Sequence, residues 1–350
     1  MAYPETMMAA LLVEQRAPLV IDEVAIPQNL AVGQVLVKVH YSGICGSQLG
    51  EIDGVKGPDR FLPHLLGHEG SGTVISTGEG VRHVCEGDRV VLHWRKGPGI
   101  ECILPKYQWG EHIVNAGWVT TFNEYAIVSE NRLTVIPNDF DLQVAALFGC
   151  AVTTGFGVVV NNAKLTIGES VVIFGAGGVG LNMVQAAAMV SAYPVIAVDL
   201  HDNRLALAEE MGATHTLNAK NVDAFAEIEK ILEQQNLDVF IDNTGKPDII
   251  AQAYEMTSAQ GRVILVGVPR AGEKTTLYTL PLHFGKCLTG SHGGEAKPES
   301  DIPRYGSMFQ KGRLKLNELI SQVYQLSDIN DAIDDMRSGK LSGRCMIEMK

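Results

Sequence analysis

The sequence has no basic run, no long apolar segment and few cysteines, and each shortage excludes a class of protein. Its 40 acidic residues outnumber 28 lysines and arginines, which gives a formal charge of −12 over 350 residues. Because no basic stretch could follow a phosphate backbone, we expect no nucleic-acid partner. No 18 apolar residues are consecutive, so we also expect no membrane span and no membrane partner.

Six cysteines are scattered through the chain, a spacing that does not favour a disulfide framework. The apolar stretch MMAALLV near the N-terminus is too short for a signal core and is followed by Glu14. We therefore expect a cytoplasmic protein with reduced thiols. A content of 46% hydrophobic and 19% charged residues is typical of a globular protein, and the length favours two domains.

The hydrophobic pattern changes at about residue 151. Before it, alternating segments such as VLVKVHY (35–41), GTVISTGEGV (72–81) and DRVVLHW (88–94) predict antiparallel strands. Beyond it, nearly apolar strands alternate with helical stretches, as in a doubly wound parallel sheet. The elements predicted there are strands at 170–174, 194–199, 239–242 and 262–268 and helices at 178–190 and 202–211, followed by a helix near 327–338 and a strand at 343–349.

A glycine-rich turn in VVIFGAGGVG predicts a dinucleotide site. Gly175, Gly177 and Gly180 follow a predicted strand and begin a predicted helix, a spacing that lets a pyrophosphate approach the backbone and the helix N-terminus. A tight turn without a ligand is the alternative. The next strand ends in Asp199, 19 residues after Gly180, where a carboxylate can bind the adenosine ribose. Asp199 favours NAD over NADP, although Arg204 could offset repulsion of the extra phosphate.

Three soft donors in the chain are candidate metal ligands. They are Cys45 in GICGSQ, His68 in GHEGSG and Cys150 in LFGCAVTTG. Two thiolates and an imidazole suit zinc, and three protein ligands leave the open fourth position of a catalytic site. Spacing alone is weak evidence, because ten histidines and six cysteines offer many triples.

The order of five blocks resembles the zinc-dependent medium-chain alcohol dehydrogenase family along nearly the whole chain. The blocks are GICGSQ, GHEGSGTV, LFGCAVTTG, FGAGGVGL and MRSGKLSGR. The resemblance implies an α/β fold with a GroES-like β-rich catalytic domain, made of residues 1–150 and 292–350. A Rossmann NAD-binding domain with a doubly wound parallel sheet is expected over 151–291. The resemblance also implies a homodimer or homotetramer.

The resemblance assigns a role to each matching residue. Cys45, His68 and Cys150 match the ligands of the catalytic zinc, and Ser47 matches the hydroxyl that takes the proton of the alcohol. The other matches are Glu69 as the acid that can approach the metal, Thr154 and Val179 in the nicotinamide pocket, Val268 as a further cofactor contact, and Arg344 toward the pyrophosphate.

The segment HWRKGPGIECILPKYQWG (93–110) departs from the family. Most zinc members carry four closely spaced cysteines there, which bind a second, structural zinc, but this segment has only Cys102. Because one thiol cannot close a tetrahedral site, we predict one zinc per chain. We expect packing of Tyr107, Trp109 and Trp118 to hold the lobe instead.

Two more departures lie near Cys45. Gln48 replaces the usual aspartate that bonds the ligand histidine; we expect it to accept a hydrogen bond from His68 without adding charge. Gly50 occupies the place where some members have a histidine that passes the proton to solvent. The sequence therefore does not identify the group that passes the proton on to solvent.

The sequence therefore predicts zinc-dependent hydride transfer between an alcohol and NAD, giving a ketone or aldehyde. A polar secondary alcohol, polyol or sugar derivative is preferred, because Gln48 and the stretch His93, Trp94 and Arg95 lie near the expected site in sequence. His93 and Arg95 either face the substrate or lie on a solvated surface. The alternatives are a zinc-free NADPH-dependent quinone or enoyl reductase of the same superfamily, and a non-catalytic binding protein on this fold.

Overall fold

A computed structural model describes residues 3–350 and shows two compact units. The first contains residues up to Cys150 together with Lys297–Lys340 and Arg344–Lys350, and the second contains Ala151–Ala296 and Leu341–Gly343. Residues 292–296, expected in the catalytic domain, thus belong to the second unit, where Asn161 Nδ2 donates to the Gly294 carbonyl oxygen at 2.8 Å.

The strands and helices of the described residues are numbered here in chain order. The strands are β1 (Thr6–Leu12), β2 (Val20–Ala25), β3 (Gln34–Ile44), β4 (His64–Leu65), β5 (Glu69–Thr77), β6 (Arg89–His93), β7 (Lys106–Trp109), β8 (His112–Asn115), β9 (Tyr125–Ser129), β10 (Leu133–Val135), β11 (Val171–Phe174), β12 (Val195–Asp199), β13 (His215–Asn218), β14 (Val239–Asp242), β15 (Arg262–Leu265), β16 (Cys287–Gly290), β17 (Ile320–Gln325) and β18 (Arg344–Glu348). The helices are α1 (Gly46–Ile52), α2 (Leu142–Ala146), α3 (Ala151–Gly157), α4 (Gly178–Met189), α5 (Asp202–Met211), α6 (Ala224–Leu232), α7 (Pro247–Met256), α8 (Pro298–Gln310) and α9 (Ile329–Arg337). Shorter 3-10 turns cover Glu130–Arg132, Leu147–Gly149, Leu280–Phe284, Gly293–Glu295 and Leu326–Asp328, and a π-helical stretch covers Val158–Asn162.

The first unit is a β structure in two parts. Strands β1, β2, β7, β8 and β4 form a closed barrel, and a second sheet has the order β10-β6-β5-β3-β18-β17, with β9 also paired to β3. The C-terminal strand β18 runs antiparallel to β3, so that Cys345 pairs with Ile44. This pairing brings Arg344 beside the chain that leads into Cys45, although the two positions are 299 residues apart in the sequence.

Strand β5 differs from its predicted range of 72–81. It begins at Glu69 and ends at Thr77, and Gly80, within the predicted range, has a φ of +83°. A positive φ of this kind strains residues that carry a Cβ, and glycine adopts it freely. The earlier start places Glu69 within the sheet, opposite His93 on β6.

The second unit contains a six-stranded sheet of order β13-β12-β11-β14-β15-β16 in which every pairing is parallel. This is the strand order of the doubly wound dinucleotide-binding fold, in which ligands bind outside the carboxyl ends of the strands where the order reverses. The predicted fold class is confirmed. The strands are apolar because both faces are covered, and the core includes Val172, Ile196, Ile228, Phe240 and Val263.

Local signals explain several helix ends. Asp141 is the N-cap of α2 and accepts a hydrogen bond from the Gln143 N–H at 2.8 Å. Helix α5 ends at Gly212, whose φ of 111° is left-handed. Within residues 3–350, no single helix has the length and apolar character needed to cross a membrane; the stretches Leu142–Gly149 and Ala151–Asn162 meet that test only when taken together.

Candidate metal centre and nucleotide site

Three separate elements supply the predicted metal ligands. Cys45 is the N-cap of α1, directly after β3; His68 immediately precedes β5; Cys150 follows the turn Leu147–Gly149. Their ligand atoms all lie within 4.8 Å of one another. In the part of the chain that the structure describes, they form the one group of three or more Cys, His, Asp or Glu side chains arranged to hold a metal ion.

The electrostatics of this group suit a cation. A hydrogen bond from Cys150 lowers the pKa of the Cys45 thiol, and the charges of Arg344 and His68 act in the same direction against burial. The bond to Cys45, with burial, raises the pKa of Cys150. His68 Nε2 is buried and has no hydrogen-bond partner. Buried soft donors that include an unbonded imidazole nitrogen fit a zinc ion, which would need both thiols deprotonated.

Gln48 touches two of the three ligands. Its side chain is buried, its Oε1 accepts a hydrogen bond from the Cys45 N–H at 2.8 Å, and its Nε2 lies against His68 Nδ1. The contact between Gln48 and His68 is thus present, and acceptance of a hydrogen bond from the ring stays a prediction. The amide oxygen is already used by the backbone of Cys45, which leaves the amide nitrogen facing the ring.

Glu69 and Arg344 form a buried ion pair beside the ligands. Arg344 Nε lies 2.7 Å from Glu69 Oε1, and Nη2 donates to Oε2 at 3.0 Å. Burial lowers the pKa of Arg344. The charges of Glu69, Cys45 and Cys150 raise this pKa by more than burial lowers it, so the pKa lies above its usual value. Gly43 leaves room for the pair, because a Cβ there would overlap Glu69 Oε1. The guanidinium expected to face the pyrophosphate thus bonds to Glu69.

Ser47 and Trp94 lie next to the ligands. Ser47 Oγ is buried without a hydrogen-bond partner, two residues after Cys45. The Trp94 ring is edge-on to His68, with centroids 6.5 Å apart, and the Arg95 guanidinium lies 5.8 Å from the Trp94 centroid. Trp94 is thus a neighbour of the ligand His68, and Ser47 follows the ligand Cys45 closely in the chain.

His93 neither faces a substrate nor lies on the surface. It is 1% exposed, its Nδ1 donates to the Arg95 carbonyl oxygen at 2.7 Å and its Nε2 accepts from Thr134 Oγ1 at 2.9 Å. Burial lowers the pKa of His93 to about 4. Both expectations for His93 are wrong, because the end of β6 turns this side chain into the protein as a neutral structural group.

The glycine turn of the second unit has the features of a phosphate cradle. Gly175 has a φ of +105°, and a Cβ on Gly180 would overlap the Gly175 carbonyl oxygen, so the backbone requires glycine at both. Gly177 differs: its φ is −74°, and an added Cβ would meet no atom within 4 Å. No contact within the chain requires glycine at position 177. Close approach of a pyrophosphate to the backbone would require it, because a Cβ would occupy that space.

Asp199 lies at the end of β12 beside that turn. Its Oδ2 accepts from the Ala176 N–H at 2.8 Å, and its Oδ1 accepts from the Leu200 N–H at 2.7 Å. Arg204 Nη1 lies 3.6 Å from Oδ1, and its Nε donates to the Leu341 carbonyl oxygen at 3.4 Å. The carboxylate is thus held against the glycine turn with a cation on its other side.

The other predicted cofactor residues also belong to the second unit. Thr154 is buried on α3, and the next residue, Gly155, packs against the Val179 carbonyl oxygen at the start of α4. Val268 is 54% exposed beyond β15, and its backbone packs against Gly245. Helix α3 thus packs against the start of α4 at Gly155, and the roles of Thr154, Val179 and Val268 remain predictions.

Comparison with known proteins identifies the family. Residues 178–311 match the zinc-binding dehydrogenase family, and residues 31–138 match the alcohol dehydrogenase GroES-like domain. An S-(hydroxymethyl)glutathione dehydrogenase from Synechocystis sp. is 32% identical, with 95% of this chain and 97% of that protein covered.

The chain belongs to the zinc-dependent medium-chain alcohol dehydrogenase family.

Two crystal structures agree with this assignment. Benzyl alcohol dehydrogenase from Acinetobacter calcoaceticus matches with a TM-score of 0.88 and 29% identity, covering 99% of this chain and 100% of that one. An alcohol dehydrogenase zinc-binding domain protein from Burkholderia ambifaria has a TM-score of 0.88 and 28% identity, with 99% of both chains covered. This dehydrogenase is thus an oxidoreductase with a GroES-like domain, and the Cys45–His68–Cys150 group fits the zinc of its family.

A buried carboxylate organises the lobe of this dehydrogenase that contains Cys102. Glu130 is 1% exposed and accepts hydrogen bonds from the N–H groups of Arg82, His83 (2.7 Å) and Ile100 (2.8 Å). The Cys102 N–H donates to Ser129 Oγ at 3.1 Å. Nothing in the sequence around Glu130 distinguished it, because its partners lie 30 to 48 residues away.

The three aromatic residues expected to hold this lobe differ in their burial. The Tyr107 hydroxyl accepts from the Ile127 N–H at 2.8 Å and belongs to the barrel core. Trp109 Nε1 donates to Asp22 at 2.9 Å, and Trp118 is 49% exposed with the Arg132 guanidinium 5.1 Å from its ring. Tyr107 and Trp109 thus pack in or against the barrel core as predicted, whereas Trp118 is half exposed. Hydrogen bonds to Glu130 and Ser129 hold the lobe as well.

Proposed function

We propose that this chain oxidises the CH–OH group of a polar alcohol with NAD, using one zinc ion held by Cys45, His68 and Cys150. The observation that carries the proposal is the buried group of three soft ligand atoms within 4.8 Å of one another. An oxidoreductase of this family needs an open metal position, and three protein ligands leave one free.

Zinc, when bound, supplies a Lewis acid that lowers the pKa of an alcohol hydroxyl. The chain supplies the remaining functions. Ser47 Oγ, buried without a partner, relays the proton of the alcohol, releasing its own hydroxyl proton toward solvent as it receives the alcohol proton. Arg344 holds the Glu69 carboxylate through two contacts, which neutralises a charge next to His68. Trp94 limits the width of the alcohol pocket on the His68 side.

NAD, when bound, supplies the hydride acceptor. The open space at Gly177 admits its pyrophosphate, and Asp199 accepts hydrogen bonds from the adenosine ribose. Arg204 contributes to the same ribose site. NADP is disfavoured because its extra phosphate would meet the Asp199 carboxylate, and the backbone N–H groups bonded to that carboxylate prevent it from turning away.

A polar secondary alcohol, polyol or sugar derivative is the proposed substrate class. The support for a polar substrate is the Arg95 guanidinium against the Trp94 ring, which itself neighbours His68, together with the Ser47 hydroxyl. The named substrates of the relatives, S-(hydroxymethyl)glutathione and benzyl alcohol, show that the family accepts both polar and aromatic alcohols.

The rival functions have less support. A zinc-free NADPH reductase has no need for a converging Cys45–His68–Cys150 group or for a carboxylate at Asp199. A binding protein without chemistry would not require an unbonded Ser47 hydroxyl beside those ligands.

We propose a homodimer or homotetramer in the cytoplasm. Strand β16 is an edge of the six-stranded sheet, and the segment before it exposes Tyr278 (69%), Leu280 (48%) and Phe284 (69%). An unpaired strand edge with apolar neighbours is a template for association. All six cysteines are free, as in proteins of reducing compartments. Light scattering on the purified protein measures the assembly, and a monomer would contradict it.

The function is tested with NAD and NADP against a panel of polyols, sugar alcohols, aliphatic alcohols and benzyl alcohol. We expect NADH formation with polar secondary alcohols, and its loss in Cys45→Ala. Cys85→Ser, at an exposed thiol, is the matched control and should keep the wild-type rate. Turnover of aliphatic alcohols with polyols inert would contradict the substrate class, and activity in Cys45→Ala would contradict the metal site.

A further inference from the structure

The turn that follows β6 places a cation near the candidate metal centre. His93, at the end of β6, pairs with Glu69 on β5, and its Nδ1 donates to the Arg95 carbonyl oxygen at 2.7 Å. The turn therefore begins beside the segment that carries His68. The Trp94 ring is edge-on to His68, and the half-buried Arg95 guanidinium lies 5.8 Å from the centroid of the same ring. Trp94 thus contacts both the candidate metal ligand and Arg95.

A second guanidinium lies against this turn. Arg132 immediately precedes β10, which pairs with β6 at Leu133 and Leu92. Its Nη1 donates to the Trp94 carbonyl oxygen. Arg132 is 5% exposed, its guanidinium lies 5.1 Å from the Trp118 ring, and its Nε is buried without a hydrogen-bond partner. A cation so far removed from water needs a negative charge nearby.

The acids around the turn do not balance its cations. The Glu101 carboxylate is shared between Lys96 Nζ at 2.8 Å and Arg132 Nη2 at 3.5 Å. Even with Glu299, which lies beside the turn, three cations meet two acids. Burial lowers the pKa of Arg132, the Glu101 charge raises it, and the Arg95 charge lowers it, so that the net direction is downward. The two guanidinium groups therefore repel each other, and an added negative charge would relieve that repulsion.

We propose that Arg95 and Arg132 form a subsite for an anionic group of the substrate, a carboxylate or a phosphate, while the alcohol end of the substrate reaches the metal position. The inference rests on the proposed function and narrows its substrate class to anionic hydroxy compounds. Arg95 contacts the anion, because it is the more exposed of the two guanidinium groups. Arg132 adds a second positive charge from its buried position. A guanidinium can bind either kind of anion through two parallel hydrogen bonds.

Matched pairs of substrates test the proposal on the zinc-containing protein with saturating NAD. The carboxylate pair is 5-hydroxyhexanoate with hexan-2-ol, and the phosphate pair is sorbitol 6-phosphate with sorbitol; the members of each pair share their secondary hydroxyl groups. We expect the anionic member of at least one pair to have a kcat/KM about tenfold higher than its neutral analogue, the scale of one charged hydrogen bond. The pair that responds identifies the anion. Turnover of both neutral members that equals or exceeds that of the anionic members overturns the proposal.

Substitutions at Arg95 separate its charge from its shape. Arg95→Gln should remove the preference for the anionic member and keep turnover of the neutral member near the wild-type rate. Arg95→Lys should keep part of the preference, since the charge remains but the two parallel hydrogen bonds are lost. Lys106→Gln, at an exposed position on β7, removes the same charge and should keep the full preference. A preference that survives in Arg95→Gln, or that falls equally in Lys106→Gln, overturns the proposal.

Ionic strength gives a readout that needs no variant. Raising KCl from about 0.05 M to about 0.5 M screens the attraction between charges near the surface. The kcat/KM of the anionic member should fall several-fold, whereas that of its neutral analogue should change little. An equal effect of salt on the two members overturns the proposal.

Failure of the proposed function would look different. If no alcohol forms NADH, or if activity persists in Cys45→Ala, the proposed function fails and this inference fails with it. If the neutral alcohols are oxidised in a reaction that requires Cys45, and the anionic members are not preferred, only the inference about Arg95 and Arg132 is overturned.

Discussion

Arg344 and Glu69 are 275 residues apart in the sequence and form a buried, two-pronged ion pair, with Nε 2.7 Å from Oε1 and Nη2 3.0 Å from Oε2. The pair connects the C-terminal strand β18 to the segment that contains His68. Because both side chains are buried, each charge depends on the other for compensation.

Arg344→Met should destabilise the first unit by about 3–5 kcal/mol, because it leaves the Glu69 charge buried and unpaired. Replacing both residues in Glu69→Met/Arg344→Met should recover most of that loss. Urea unfolding followed by tryptophan fluorescence measures the effect, since all three tryptophans, at 94, 109 and 118, lie in the first unit. A cost below about 1 kcal/mol for Arg344→Met would show that the pair contributes little.

Glu130→Gln should destabilise the first unit by about 2–3 kcal/mol, because an amide cannot accept all three backbone N–H groups that the carboxylate accepts. The same fluorescence measurement applies. Glu124→Gln is the matched control: it also loses one charge, but its carboxylate accepts from a single backbone N–H, that of Met8. An equal effect in the two variants would contradict the role of Glu130 in the lobe.

His93 should make the protein less stable at acid pH. Its folded pKa is about 4, below the unfolded value of about 6.5, so the unfolded chain binds more protons between these values. Stability should therefore fall by about 3 kcal/mol as the pH is lowered from 6.5 to 4. In His93→Gln this part of the pH dependence should disappear. Parallel stability curves for the variant and the wild type over that range would contradict a neutral, buried His93.

Asp199→Asn should reduce the preference for NAD over NADP by about tenfold, or 1.4 kcal/mol, because the charge that repels the extra phosphate is lost. The ratio of kcat/KM for the two cofactors measures this. Asp202→Asn, three residues later on α5, controls for charge and should leave the ratio unchanged. An unaltered ratio in Asp199→Asn would place the discrimination elsewhere.

Sequence motifs predicted those parts of the site that depend on residue type and local backbone. Cys45, His68 and Cys150 each lie beside a glycine, and the Gly175–Gly180 turn follows an apolar strand. Residues close in sequence were therefore sufficient to predict these parts of the site. The apolar character of its strands also predicted the parallel sheet. These features are set by neighbours a few residues away.

The details that the sequence did not predict depend on contacts between distant parts of the chain. Glu130 finds its partners through pairing of distant segments, and His93 turns inward because β6 lies opposite β5. The orientation of Gln48 depends on a backbone N–H that no motif displays. None of these three outcomes follows from residue type, because each depends on which hydrogen-bonding groups the fold brings together.

The most direct test of the account is zinc content and NADH formation on the same dialysed protein, before and after chelation. Plasma emission should give about one zinc per chain, and NADH formation should cease on chelation and return with added zinc. Full activity in protein that contains no zinc would contradict the account, and Cys45, His68 and Cys150 would then need another explanation.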